Sequence, residues 1–221
     1  MSAYHDYGFF NEEAAHTHAY LEQPMLKLLG SNKSQYILDL GCGNGAMVRF
    51  LLKQGYIAYG TDASEQGIAI ARKRHPEHFA VQDLSIDALP DKLAGIPFNT
   101  IISTEVIEHL YNPRLFIAFC RKILLQYGGG NLILSTPYHG YLKNLALAIA
   151  GKWDAHANPL WDGGHIKLWS RKTLTQALEE QGFTVTDFLG CGRFPGFWKS
   201  MMIKARIGGE VEVEVEKVMR L

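Results

Sequence analysis

The run Ile37-Leu-Asp-Leu-Gly-Cys-Gly-Asn-Gly45 constrains the fold of this chain more than any other stretch. Ile37, Leu38 and Leu40 suit a buried strand, and the strand ends on Asp39 before Gly41, Gly43 and Gly45 alternate with Cys42 and Asn44. Glycines so placed mark backbone that turns through unusual dihedrals or approaches a neighbour closely, where a β-carbon would collide. The GxGxG spacing departs from the GxGxxG fingerprint that seats a pyrophosphate on a helix N-terminus. Taken alone, the loop fits a tight strand-to-helix turn as well as a ligand cradle.

From Tyr36 onward, short β-rich runs alternate with helical patterns, which argues for an α/β fold with parallel strands and helical crossovers. The expected strands are 36–40, 57–62, 79–83, 99–103 and 131–135, with two more near 183–189 and 198–207. Asn112 can cap a helix that carries Pro113 in its first turn and Phe116, Phe119, Cys120, Ile123 and Leu124 at helical spacing. Gly128 to Gly130 stop it. Ser170 can cap another, with Leu174, Ala177 and Leu178 facing inward and Gly182 as the exit. One domain spanning 1–221 is expected, with 1–34 as a helical cover over the cleft and 137–169 as an inserted lid, because loops of that length are uncommon unless functional. The last fourteen residues, GGEVEVEVEKVMRL, read as a half-exposed strand or a frayed tail.

Further acids mark the same sheet edge. Asp62 ends the second strand about twenty positions past the first glycine, where a carboxylate can accept both hydroxyls of a ribose. It can also cap the helix after Ala63, a task for which Ser64 competes. Asp83, flanked by Gln82 and Leu84, follows the third strand and can accept from an adenine amino group or stand as a solvated loop charge. Ligands of open parallel sheets bind at the strands' carboxyl ends, so these acids together point to a cofactor site.

ILDLGCGNG, YGTDAS, FAVQDL and STEVIEHL, in this order, resemble the motifs of class I S-adenosylmethionine-dependent methyltransferases. The likeness covers roughly residues 36–190. EVIEHL and the P-R-x-F helix after it are similar to the ubiquinone-biosynthesis O-methyltransferase branch. The resemblance implies a Rossmann-like, seven-stranded, mostly parallel sheet with the last strand antiparallel and helices on both faces. It also implies that Asp39 and Gly41, Cys42, Gly43, Asn44 and Gly45 pack on the methionine portion of S-adenosylmethionine, the product being S-adenosylhomocysteine. Asp62 and Ala63 would meet the ribose, and Gln82, Asp83 and Leu84 the adenine. Thr104 and Glu105 would lie where the methionine portion and the acceptor meet.

Methyl transfer from a sulfonium is a direct displacement, so the protein mainly aligns a nucleophile and helps it lose a proton. Histidines titrate near neutral pH and suit that task. His109, His139, His156 and His165 are placed for it, with His109, His165 and Glu105 as the expected catalytic set. Glu105, Glu108 and His109 are spaced i, i+3, i+4, so on a helical turn they would point one way. With His165 they can hold a divalent metal that binds the acceptor oxygen; otherwise the glutamates shape the cofactor loop while His109 acts as base or packs. The set also resembles that of small-RNA 2'-O-methyltransferases.

Tyr138, His139, Tyr141, Trp153 and Trp161 suit a pocket for a planar or greasy small-molecule acceptor. Leu142, Leu145, Ala146 and Ile149 share one helical face, which fits a lid core, a peripheral membrane contact or an oligomer contact. Composition narrows the partners. Twenty-two Lys plus Arg balance twenty-two Asp plus Glu, so no global positive field draws nucleic acid, and this counts against RNA as acceptor. Three widely spaced cysteines and an N-terminus lacking a basic-then-apolar leader suggest a cytoplasmic protein. A cofactor-binding protein without catalysis is the remaining alternative, and the filled cofactor positions speak against it.

Overall fold

A computed structural model describes residues 8–161 and 164–208. The Glu/Val repeat from residue 209 onward lies outside the described residues. Seven strands form one sheet: β1 Tyr36–Leu40, β2 Ile57–Asp62, β3 Phe79–Val81, β4 Thr100–Thr104, β5 Gly130–Pro137, β6 Thr184–Cys191 and β7 Ser200–Ile207. Their order is β3-β2-β1-β4-β5-β7-β6, and β7 runs antiparallel to both of its neighbours.

Successive strand residues point to opposite faces, and both faces are covered. Leu38, Leu40, Ile101, Leu132, Leu134, Met201 and Ile203 enter one apolar layer. Ile37, Ile102, Ile133 and Met202 enter the other. Such strands read as continuous apolar runs because neither side meets water.

The first layer is closed by α5 Pro113–Leu125, through Phe116, Phe119, Cys120, Ile123 and Leu124, and by α8 Arg171–Glu179, through Leu174, Ala177 and Leu178. Both begin as the sequence leads one to expect. Asn112 Oδ1 accepts from the Leu115 amide at 3.2 Å, and Ser170 forms a reciprocal capping box with Thr173. Helices α1 His18–Leu29, α2 Ala46–Lys53 and α3 Glu65–Arg72 cover the second layer. Between α3 and α5 lies the single turn α4 Asp91–Ala94.

Helix α1 lays Leu21, Met25, Leu28 and Leu29 on the sheet, so it covers a sheet face, whereas the segment before it covers the glycine loop. After β5 the chain builds α6 Tyr141–Ile149 and α7 Trp153–Ala157 before α8. Among the described residues no helix is long and apolar enough to cross a membrane.

Candidate functional site

Winding proceeds from β1 outward to β3, then resumes at β4 on β1's other side. This reversal opens a crevice at the carboxyl ends of β1 and β4, where open α/β sheets bind ligands. The glycine loop lines one wall. Gly41 and Gly43 have φ of +84° and +55°, and a β-carbon on Gly41 would come within 2.5 Å of Val106, in the turn after β4. The loop and that turn are therefore in direct apposition.

Two carboxylates stand behind the loop in different states. Asp62 is anchored: Oδ2 accepts from the Gly43 amide at 2.7 Å and Oδ1 from the Ser64 amide at 2.8 Å. Ser64, not Asp62, caps α3, accepting from Gly67 at 2.9 Å. Asp39 is fully buried, and neither of its oxygens has a hydrogen-bond partner. Burial, and then the charge of Asp62, push its carboxyl up to about 8. A buried acid with both oxygens unsatisfied is costly, and it fits a site completed by a ligand with donors or positive charge. Gln82 donates to the Ala88 carbonyl at 2.9 Å, while Asp83 Oδ1 accepts from the Ser85 amide at 2.9 Å, shaping the turn after β3.

Opposite the loop, Glu105 holds a left-handed backbone, φ +55°. Such conformations in non-glycine residues cost energy and persist when their surroundings fix them. Here the Glu105 amide donates to the Ser135 carbonyl, Oε1 accepts from Ser135 Oγ at 2.8 Å, and Oε2 accepts from Ser200 Oγ at 3.0 Å. The helical turn expected over 105–109 is only a 3-10 turn, Ile107–His109. Glu105 therefore faces the two serines, while Glu108 and His109 join His165. One ligand atom from each of these three lies within 4.8 Å of the others. Glu108 is 0% exposed, its Oε1 stands 4.0 Å from His109 Nε2, and burial, then the charge of Glu105, push it well above the carboxylate range. His109 Nδ1 donates to the Gly164 carbonyl at 3.1 Å, which leaves the Nε2 lone pair as its basic atom. Burial, then the charge of His109, lower His165 to about 4.

A family model described as a methyltransferase domain matches residues 13–187. The chain belongs to the S-adenosylmethionine-dependent methyltransferase family. A ubiquinone biosynthesis O-methyltransferase of Mesorhizobium japonicum is 34% identical over 162 residues, covering 70% of this chain and 61% of the relative. Its counterpart in Dinoroseobacter shibae is 29% identical over 168 residues, covering 72% and 63%. The match thus spans somewhat less than two thirds of these relatives. Among solved structures, magnesium protoporphyrin IX methyltransferase of Synechocystis with bound SAH aligns with a TM-score of 0.59 at 21% identity, covering 83% of this chain and 78% of that one. A SAM-dependent methyltransferase of Aquifex aeolicus aligns with a TM-score of 0.62 at 15% identity, covering 89% and 94%. These share the fold.

In this methyltransferase, a segment before α1 straps the glycine loop. Asn44 Nδ2 donates to the Asn11 and Glu13 carbonyls, Arg49 donates to the Glu12 carbonyl, and Phe9 lies against Gly43 and Gly67. Asn44 thus latches the strap, and Cys42 points into the core, with its Sγ under Gly60. Trp161 sets its ring 5.7 Å from His109 and 5.4 Å from His165. Tyr138 packs on Trp198 at 5.0 Å, Trp153 stands 6.5 Å from His156, and Tyr141 is 79% exposed. Leu142, Leu145 and Ile149 are exposed too, so α6 turns its apolar face outward. Sequence reading missed Ser135 and Ser200, and it expected a helical cover where the described strap before α1 has no helix. Ser135 pairs with Thr104 across β4 and β5, a proximity that only the strand register reveals.

Proposed function

We propose that the domain methylates an oxygen of a small hydroxylated aromatic or lipophilic acceptor by direct displacement. The observation that carries this is the placement of Glu108, His109 and His165 beside the crevice, under Trp161. S-adenosylmethionine supplies an electrophilic methyl group. Asp39 and the Gly41 to Gly45 loop would hold its methionine portion, Asp62 and Ala63 its ribose, and Gln82, Asp83 and Leu84 its adenine, with Thr104 and Glu105 at the acceptor side. His109 Nε2 takes the acceptor's hydroxyl proton. His165, held neutral at physiological pH by its lowered affinity for protons, hydrogen-bonds the same oxygen. The names of the ubiquinone-biosynthesis relatives support an oxygen acceptor of aromatic, greasy character. The outward apolar face of α6 supports delivery of such an acceptor from a membrane surface.

A second reading concerns a metal and is favoured by the convergence of ligand atoms from Glu108, His109 and His165 within 4.8 Å of one another. Glu108, His109 and His165 would hold a divalent cation, which would lower the pKa of the acceptor hydroxyl. RNA as acceptor is disfavoured by the balanced charge of the chain.

Calorimetric titration with S-adenosylhomocysteine tests the cofactor site: wild type binds and Asp62→Ala binds at least about tenfold more weakly. No binding to wild type at high micromolar ligand would remove the reading. A screen of phenols and polyprenyl phenols with labelled cofactor then tests the acceptor class.

A further inference from the structure

Helix α1 reaches the crevice through Tyr20, in its first turn, whose hydroxyl comes to 3.5 Å from Ser200 Oγ at the start of β7. Ser200 has a single proton and donates it to Glu105 Oε2 at 3.0 Å. In the contact with Tyr20 the donor is therefore the phenol. Burial pushes the Tyr20 hydroxyl above its usual range, which keeps that proton in place. The Lys199 ammonium lies over the ring, 5.1 Å from its centroid, and adds an attraction that holds it there.

A directed chain thus runs from α1 through β7 to the turn after β4. Its end is doubly held, because Ser135 Oγ donates to Glu105 Oε1 at 2.8 Å. Hydrogen bonds in such chains polarise one another, and those that end on a charge are the strong ones. Burial raises the Glu105 carboxyl above the ordinary carboxylate range, while the two serine hydroxyls and the charge of the buried Lys143 of α6 favour its ionised form.

A carboxylate whose two oxygens both serve hydroxyls is badly placed to collect the acceptor's proton. It is well placed to stand as a fixed charge. The next residue, Val106, lies so close to Gly41 that a β-carbon there would come within 2.5 Å of its side chain. Glu105 therefore flanks the loop read as holding the methionine portion. The cofactor's sulfur is a cation before transfer and neutral after it, and a preorganised charge acts on such a difference.

We propose that Tyr20 is a positioning residue: through Ser200 it fixes the Glu105 carboxylate as a standing negative charge beside the cofactor's sulfur, strengthening the hold on the sulfonium of S-adenosylmethionine relative to the neutral thioether of S-adenosylhomocysteine. That advantage ends when the methyl group leaves, which favours release of the product. The proposal rests on the placement of Glu105 where the methionine portion and the acceptor meet, and it adds the residue that holds Glu105 there.

The test is calorimetry on the full chain with S-adenosylmethionine and S-adenosylhomocysteine, without acceptor, read as the ratio of the two affinities. Glu105→Gln is expected to shift the ratio at least about tenfold against S-adenosylmethionine. Tyr20→Phe shifts it at least about threefold in the same direction, a smaller share because its contact is long. A role confined to folding would weaken both ligands alike, so a wild-type ratio in Tyr20→Phe would overturn the proposal. Should Tyr20→Phe fail to fold, Ser200→Ala carries the same test: a shift of at least about threefold is expected, and an unchanged ratio overturns the chain. A shift in Glu105→Gln without one in Tyr20→Phe would leave Glu105 at the sulfur and remove only the role of Tyr20. An unchanged ratio in Glu105→Gln would remove the placement of Glu105 and the proposal together. No binding of either ligand to wild type would remove the cofactor site, and the proposal with it.

Discussion

The Ser200 hydroxyl donates to Glu105 Oε2 at 3.0 Å, tying the turn after β4 to a strand 95 residues further along the chain. That bond, with the matching one from Ser135, steadies a left-handed residue at the crevice. A hydrogen bond to a charged group contributes about 1.5–3 kcal/mol. Ser200→Ala should therefore cut the methylation rate by about tenfold or more, with S-adenosylhomocysteine affinity changing less than about threefold. An unchanged rate in a steady-state assay would show that Glu105 needs no such support.

Asp39 should make stability depend on pH. Its carboxyl is pushed up to about 8 in the folded protein, against about 3.9 for an unfolded aspartate. Native protein then holds a proton that the unfolded chain has released, so stability declines as pH rises from about 4 to about 8 and levels off above. Asp39→Asn removes this slope and gains on wild type across the same window. Urea midpoints measured without cofactor at pH 5 and pH 8.5 check it; parallel curves for the two proteins would refute the assignment.

Phe9 and Gly43 should couple. Gly43→Ala puts a β-carbon in a left-handed conformation and 2.7 Å from the Phe9 ring; we expect a loss of about 1–3 kcal/mol. Phe9→Ala removes the collision but not the backbone strain. The double variant should recover part of the loss, with a coupling of at least about 0.5 kcal/mol in thermal or urea unfolding. Additive losses would mean that the strap does not press on the loop.

Glu108 offers a test of the metal reading that needs no turnover. If Glu108, His109 and His165 hold a divalent cation, manganese or zinc at about a hundred times its Kd raises wild-type stability by about 2.7 kcal/mol. Glu108→Gln abolishes the gain. An equal gain in both proteins would place the ion elsewhere. In an activity assay, Glu108→Ala and chelator treatment should be non-additive, and full activity in chelator would dismiss the metal.

Much of the fold was legible because its signals are local. Asn112 and Ser170 cap the helices they precede through bonds to amides three residues on. Gly41, Gly43 and Gly45 each take positive φ. The apolar runs became strands buried on both faces. The acids at strand ends were legible for the same reason, since strand direction alone puts Asp39, Asp62 and Asp83 on one edge of the sheet. Legibility failed where spacing was read as regular helix. The i, i+3, i+4 pattern of Glu105, Glu108 and His109 assumes a helical turn, and Glu105 is instead held in the left-handed region by serines from β5 and β7.

By itself, then, the sequence determined the alternation of strands and helices, their caps and the glycine loop with its acids, because these depend on neighbours within a few positions. Tertiary structure alone decided which charges lose water. Glu108 is buried beside a histidine from the far end of the lid, and Lys143 faces inward while the leucines around it face out. Burial, unpaired oxygens and shifted proton affinities come from packing between segments distant in the chain. No local periodicity encodes that desolvation, and the chemistry of this crevice rests on it.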